Sequence, residues 1–139
     1  MNIALLHSAS AGDAVSAETL HGALARFGHR LEAVVGPGQD LDRVLDFYTN
    51  DVIFHSPLIA RLSHDPSGTV HGKAALRAYV KKGFEVFDHI KFTVLDVLRG
   101  VDSIAIHYKG ITGTHVVEVL FFDKDGVVRE SYVHYAWPD

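Results

Sequence analysis

Glu118, Tyr132 and His134 are the residues of this chain whose types and spacing could do chemistry together. Between them lies Asp123-Lys124-Asp125-Gly126. That tetrapeptide suits a type I turn with Gly126 in the left-handed conformation, closing a hairpin with a bulge. The turn would pair Asp123 with Val127, Phe122 with Val128, Leu120 with Glu130, Glu118 with Tyr132, and Val116 with His134. Strand side chains alternate between faces, so this register puts Glu118, Tyr132 and His134 on one side of the sheet. A carboxylate, a phenol and an imidazole so placed could move a proton or orient a polar ligand group. On a buried face, desolvation would raise the carboxylate's pKa and lower the imidazole's, while their mutual attraction would oppose both shifts. A one-residue change in the turn would separate the three groups. Glu118 has a second reading, as a structural carboxylate paired with Arg99 or Lys109.

Other side chains are candidates for lining a ligand site. Tyr48 and Phe47 sit at the end of a short helical period, where one is expected in the core and the other on a pocket wall. In Ile104-Ala105-Ile106-His107-Tyr108, alternation puts Tyr108 on the face of the two isoleucines and His107 opposite. Phe84 shares a helical stripe with Tyr79 and Phe87, a pattern that fits core as well as ligand contact. Arg61, His64 and Asp65 occupy a polar stretch long enough to form a lid or a solvated loop.

The chain has ten histidines, but none stands in a His-x-x-x-His or His-x-Glu arrangement on a helix. It has no cysteine, so neither disulfides nor thiolate metal sites are available. A zinc site would need histidines and carboxylates gathered by folding, and none is expected. Ser8, Ser10 and Ser67 lack a nucleophile-elbow motif, and Gly36-Pro37-Gly38 lacks the helix and lysine of a phosphate loop. The formal charge of −4 argues against a nucleic-acid surface, which would carry a clustered basic excess. No apolar run approaches the ~18 residues of a membrane span, and the N-terminus lacks a signal-peptide pattern. A cytoplasmic location is expected. With 139 residues, 47% hydrophobic and 22% charged, the chain fits one globular domain. A domain of that size buries roughly 70% of the surface its unfolded form exposes.

The elements that must position these residues follow in order along residues 40 to 137. Leu41, Val44, Leu45 and Tyr48 recur at helical spacing, and Val52 to His55 switches to strand-forming residues. After Gly72, Leu76, Tyr79, Val80, Phe84 and Phe87 mark a long helix. Four strands follow, separated by turn signals at Gly100-Val101-Asp102, Gly110 to Gly113 and Asp123 to Gly126.

Three phrases in this stretch carry a resemblance: Leu41 to Pro57, Ser67-Gly68-Thr69-Val70-His71-Gly72-Lys73-Ala74-Ala75-Leu76-Arg77-Ala78-Tyr79, and Val117 to Gly126. The chain from about residue 40 to 137 resembles the SnoaL-like branch of the nuclear-transport-factor-like superfamily. The resemblance implies an α+β fold, a cone-shaped, curved mixed or antiparallel sheet wrapped around helices (a cystatin-like roll), with an internal pocket. It also implies a bacterial protein and places His55, at the end of the first strand, where related folds often put a pocket residue. It does not fix function, because the superfamily spans isomerases, dehydratases, polyketide cyclases, hydrolases and binding modules. Its best-known enzymes rely on an aspartate or an aspartate–histidine pair, which matches no motif here.

The first 39 residues differ. Met1 to His7 followed by Ser8 to Asp13 and a helix start at Ser16, continuing through Gly28 to Val35, resembles the opening of a bacterial diacylglycerol-kinase-type lipid kinase. That family's Gly-Gly-Asp-Gly-Thr phosphate loop is absent, so kinase activity is not expected. Structurally, the segment reads either as a βαβ unit turning at Gly28-His29, or as one helix from Ser16 to Val35. Leu20, Leu24, Phe27, Leu31 and Val34 favour the helix, although Gly22 and Gly28 weaken it by roughly 1 kcal/mol each. Residues 2 to 7 are then an edge strand or an arm.

The expected function is a small-molecule pocket. In the leading reading it belongs to a cofactor-independent acid–base enzyme acting on a largely apolar carbonyl or hydroxyl compound. Glu118 and His134 would be catalytic, with His55, Tyr48, Tyr108, Tyr132 and Phe84 binding the ligand. The alternatives are a non-catalytic binder and a dimerisation module. Val117, Val119, Phe121, Val133 and Tyr135 would form an apolar outer face for a homodimer.

Overall fold

A computed structural model of the chain describes residue 22 and residues 41–87, 92–110 and 113–137. Apart from residue 22, which is helical, the expectations for the first 39 residues lie outside these described residues.

A short helix, α1 (Leu41–Leu45), leads into strand β1 (Tyr48–His55). Helix α2 (Pro57–Ser63) follows at once, then strand β2 (Thr69–His71) and the long helix α3 (Lys73–Val86). Four strands complete the chain: β3 (Thr93–Arg99), β4 (Ser103–Lys109), β5 (His115–Phe122) and β6 (Val128–Tyr135). All six strands form one curved sheet in the order β2-β1-β6-β5-β4-β3. Only the β1–β6 pairing is parallel among these neighbours, so the sheet is mixed. The α+β class and the four-strand tail agree with the sequence reading.

Helix α2 departs from the sequence reading, in which its residues form a polar lid or loop. Its start is nonetheless encoded. Ser56 is the N-cap, with its Oγ accepting a hydrogen bond from the Leu58 N–H, and Pro57 occupies the first helical turn. His64 ends the helix in the left-handed conformation (φ 54°). Ile59 pins it to the core with no exposed surface.

The chain then doubles back against its own start. The Ser56 N–H donates to the Gly68 carbonyl, and a side chain at Gly68 (φ +63°) would sit 3.2 Å from the Ser56 carbonyl oxygen. Glycine fits that close approach at no steric cost. On the other side of β2, the Gly72 N–H donates to the Val52 carbonyl, and α3 begins.

Alternation along the strands sorts the sheet into two faces. Tyr48, Val52 and Phe54 of β1 are buried on the helix-covered side. Ile104, Ile106 and Tyr108 of β4, Val116, Leu120 and Phe122 of β5, and Val128 and Val133 of β6 join them. Leu76 of α3 is 1% exposed, and Tyr79 of the same helix meets Phe54 at 5.9 Å between ring centroids. This face is the core.

The hairpin departs from expectation after two correct pairs. Gly126 is left-handed (φ 78°), the Asp123 N–H donates to Val127, and Phe122 pairs with Val128. The register then shifts: Phe121 pairs with Glu130, Leu120 with Ser131, Glu118 with Val133, and Val117 with His134. Arg129 is the extra residue of a second bulge. Two contacts hold it there. The Val128 N–H is engaged by the Phe47 carbonyl, and the Arg129 guanidinium reaches Asp102 at 3.1 Å. A bulge of one residue reverses the facing of every side chain beyond it.

Candidate active site

Glu118 is 7% exposed on the helix-covered face of β5, surrounded by core. Its Oε1 accepts a hydrogen bond from the Tyr108 hydroxyl (3.1 Å) and its Oε2 one from the Ser131 hydroxyl (3.2 Å). Both donors are diagonal neighbours across the sheet, Tyr108 on β4 and Ser131 on β6. The two hydroxyls fix the orientation of the carboxylate between β4 and β6.

A second hydroxyl group lies on the same side. Ser56, 2% exposed at the junction of β1 and α2, interacts through its hydroxyl with Tyr79 of α3 and Tyr135 of β6. Both phenols also feel the Glu118 charge. Burial pushes the Tyr79 phenol up, and the neighbouring Tyr135 adds to it. The Tyr108 phenol is pushed well above its ordinary value, first by burial and then by Glu118. For Tyr135 the cause is again burial, with the Ser56 hydroxyl opposing and Glu118 reinforcing. Tyr48, buried beside Phe54, completes the cluster through its electrostatic influence on Tyr108.

These raised values predict an alkaline limit on stability. A phenol whose folded pKa exceeds its unfolded 10.0 binds more protons in the native state, so its contribution is intact below pH 10. It is lost as pH rises through the folded values. Absorbance at 295 nm should show Tyr79, Tyr108 and Tyr135 ionising only together with the loss of far-ultraviolet circular dichroism. Smooth ionisation of all five tyrosines near pH 10 in a still-folded chain would contradict this burial.

Of the residues singled out from sequence, Tyr48, Tyr108 and Glu118 converge here. His134 and Tyr132 do not. The bulge at Arg129 turns both to the opposite face, where His134 is exposed beside Val117 and Tyr132 is 38% exposed. The expected sharing of one face by Glu118, Tyr132 and His134 is therefore corrected. The same shift corrects the expected outer apolar set. Val133 (6% exposed) and Tyr135 point into the core side, and Tyr132 and His134 take their places outside. Phe84 is half-buried on α3.

His55 also faces outward, and Tyr132 meets it there. Their rings stack at 4.0 Å between centroids, 11° from parallel. His55 Nε2 lies 2.9 Å from Glu130 Oε2, and Nδ1 lies 2.9 Å from Thr69 Oγ1. The Tyr132 hydroxyl donates to the same Glu130 oxygen. Two of the expected ligand residues thus assemble on the outer face, around a glutamate outside the expected set. Elsewhere on that face His107 Nε2 and His115 Nδ1 are 2.9 Å apart. Among the described residues no group of three metal-ligating side chains converges, and no helix is long and apolar enough to cross a membrane.

Sequence reasoning missed Ser56, Ser131 and the inward direction of Tyr135. Ser56-Pro57 is a legible helix start, so Ser56 could have been placed. Ser131 and Tyr135 depend on the second bulge, for which the sequence carries no comparable signal.

Comparison with known proteins bears on the fold and on the range of activities. The SnoaL-like domain model matches residues 29–135, beginning ahead of the boundary expected near residue 40. A SnoaL-like protein of unknown function from Burkholderia thailandensis E264 is 28% identical, covering 89% of this chain and 99% of its own, with a TM-score of 0.75. SalBIII, an epoxide hydrolase/cyclase-like enzyme in pyran ring formation in the polyether salinomycin, is 15% identical. The alignment covers 86% of this chain and 92% of SalBIII, with a TM-score of 0.61. A putative ketosteroid isomerase from Kribbella flavida DSM 17836 is 17% identical over 88% of this chain and 81% of its own, with a TM-score of 0.60. The last two likenesses show the shared fold alone. No match is found among curated proteins.

Proposed function

We propose that this chain, which belongs to the SnoaL-like domain family, is a cofactor-independent acid–base enzyme of the isomerase or cyclase type. The observation that carries the reading is Glu118, a buried carboxylate held by the Tyr108 and Ser131 hydroxyls, whose charge is felt by the phenols of Tyr79 and Tyr135. Glu118 takes a proton from a carbon or hydroxyl of a largely apolar substrate. The neighbouring phenols, kept protonated, donate to the oxygen on which charge develops. Similar folds named as a cyclase-like enzyme and a putative ketosteroid isomerase are consistent with such chemistry. Tyr48 and Tyr108 line the site in this proposal. His134, His55 and Tyr132, on the outer face, are assigned no step.

The outer face supports a homodimer as a second part of the proposal. Val117 (39% exposed) and Tyr132 (38%) lie there beside the half-buried Val119 and Phe121, an apolar area suited to a second copy of the chain. Native mass spectrometry of gently purified protein, with added N-phenyl-1-naphthylamine as a neutral apolar probe, tests both parts. The expected result is a dimer mass and one probe per subunit. A monomer would remove the dimer, and absence of saturable probe binding would remove the pocket.

A further inference from the structure

Trp137, just beyond β6, stacks on Tyr135 with centroids 4.6 Å apart and planes 9° from parallel. Over it lies the guanidinium of Arg61, 3.7 Å from the ring centroid. Arg61 belongs to α2, whose N-cap is Ser56. Arg61, Trp137 and Tyr135 therefore form one ladder between α2 and the end of β6. Its inner rung, Tyr135, interacts with the Ser56 hydroxyl and feels the charge of Glu118. Its outer rung, Arg61, is exposed to solvent.

Arg61 differs from two other arginines of the chain. Arg77 is paired with Asp42 at 3.2 Å and Arg129 with Asp102 at 3.1 Å. Arg61 has no carboxylate partner among the described residues; its contact is the face of Trp137. A guanidinium held by its face keeps its edge donors in the plane and available, five N–H groups in a fixed fork. The indole also restricts the side chain, so less freedom is lost when that fork binds an anion. In the proposed pocket the buried Glu118 carboxylate would repel an acidic group, while the exposed Arg61 would attract one. The two charges impose one orientation on any ligand that is apolar at one end and acidic at the other.

We propose that Arg61, braced on Trp137, is a specificity-determining residue that binds the carboxylate or other anionic group of an amphipathic organic acid whose apolar body enters beside Tyr135. This rests on the pocket reading above and names its ligand class.

Calorimetric titration with two probes of the same aromatic body tests it: neutral N-phenyl-1-naphthylamine and its sulfonated counterpart, 1-anilinonaphthalene-8-sulfonate. The native protein should bind the sulfonate roughly 10-fold more tightly, the scale of one charge-assisted contact. Arg61→Gln should remove that preference while leaving the neutral probe within about twofold. Arg61→Lys, which keeps the charge without the stacked fork, should fall between them. Arg77→Gln, removing a guanidinium already committed to Asp42, should leave the preference intact. Equal binding of the two probes, or a preference that survives Arg61→Gln, would overturn the assignment while the pocket stands. Failure of the neutral probe to bind would remove pocket and assignment together.

Discussion

Glu118→Gln should lower turnover by about 10² to 10⁴ while the chain stays folded, the range expected when a positioned base is lost. The amide has nearly the same shape as the carboxylate and keeps one acceptor, so Tyr108 or Ser131 retains a partner. The other hydroxyl then faces an NH₂ group, costing roughly 1–3 kcal/mol if it cannot reorient. A stability change of that size is readable by urea denaturation and is separable from a loss of base. The activity readout is isomerisation of a β,γ-unsaturated ketone or elimination from 5-nitrobenzisoxazole, each begun by removal of a proton from carbon. In the second reaction the base takes the C–H proton, the N–O bond breaks, and a nitrile and a phenolate form. His134→Ala is the informative control. Because His134 projects from the opposite face, turnover should change less than twofold. Equal loss in both variants would sink the assignment of Glu118 as the base, and a wild-type chain inert to every such probe would favour a binding module.

Phe122→Ala should destabilise the fold by about 3–5 kcal/mol. Phe122 is 2% exposed, pairs with the fully buried Val128, and its N–H donates to the Asp102 carbonyl. Truncation leaves a cavity lined by strands fixed on both sides, β4 and β6, which limits collapse into it. Domains of this kind have total stabilities of about 5–15 kcal/mol, so the variant would sit close to unfolding. Phe121→Ala is the matched comparison one residue away. Phe121 lies outside, half-buried against Tyr132 and Arg129, and should cost about 1 kcal/mol. The ratio tests strand facing directly. Similar losses at the two positions, measured as urea midpoints with unchanged slope, would mean that the sheet faces are not as described.

Much of the frame is legible in local sequence. The period of Leu76, Tyr79 and Val80 marks α3, and the turn signals at Gly100, Gly110 and Asp123 separate the four final strands. Alternation alone puts Ile104, Ile106 and Tyr108 on one face, and all three are buried there. The first two pairs of the last hairpin follow from Gly126 in its left-handed conformation. These features are local: each depends on residues within a few positions of one another, where propensity and turn chemistry act.

The site is legible in part. Glu118 and Tyr108 can be named from residue type and alternation, and Tyr48 from a helical period although it opens strand β1, whereas their partners Ser131, Ser56 and Tyr135 escape that reasoning. At the second bulge Arg129 meets Asp102, 27 residues away, and the Val128 N–H meets the carbonyl of Phe47, just ahead of the neighbouring strand β1. No local pattern reports such contacts. Because strand facing has a period of two, that single residue moves His134 and Tyr132 outside and brings Ser131 and Tyr135 in.

By itself, then, the sequence determined the family, the long helix α3 and the four final strands. Repeated local preferences and a distributed pattern specify those things. Only the tertiary structure decided which groups surround Glu118, that His55 joins Glu130 and Tyr132 outside, and that Arg61 rests on Trp137. Those arrangements depend on chain segments that meet only when the sheet forms, and one bulge sets the facing of the rest of its strand.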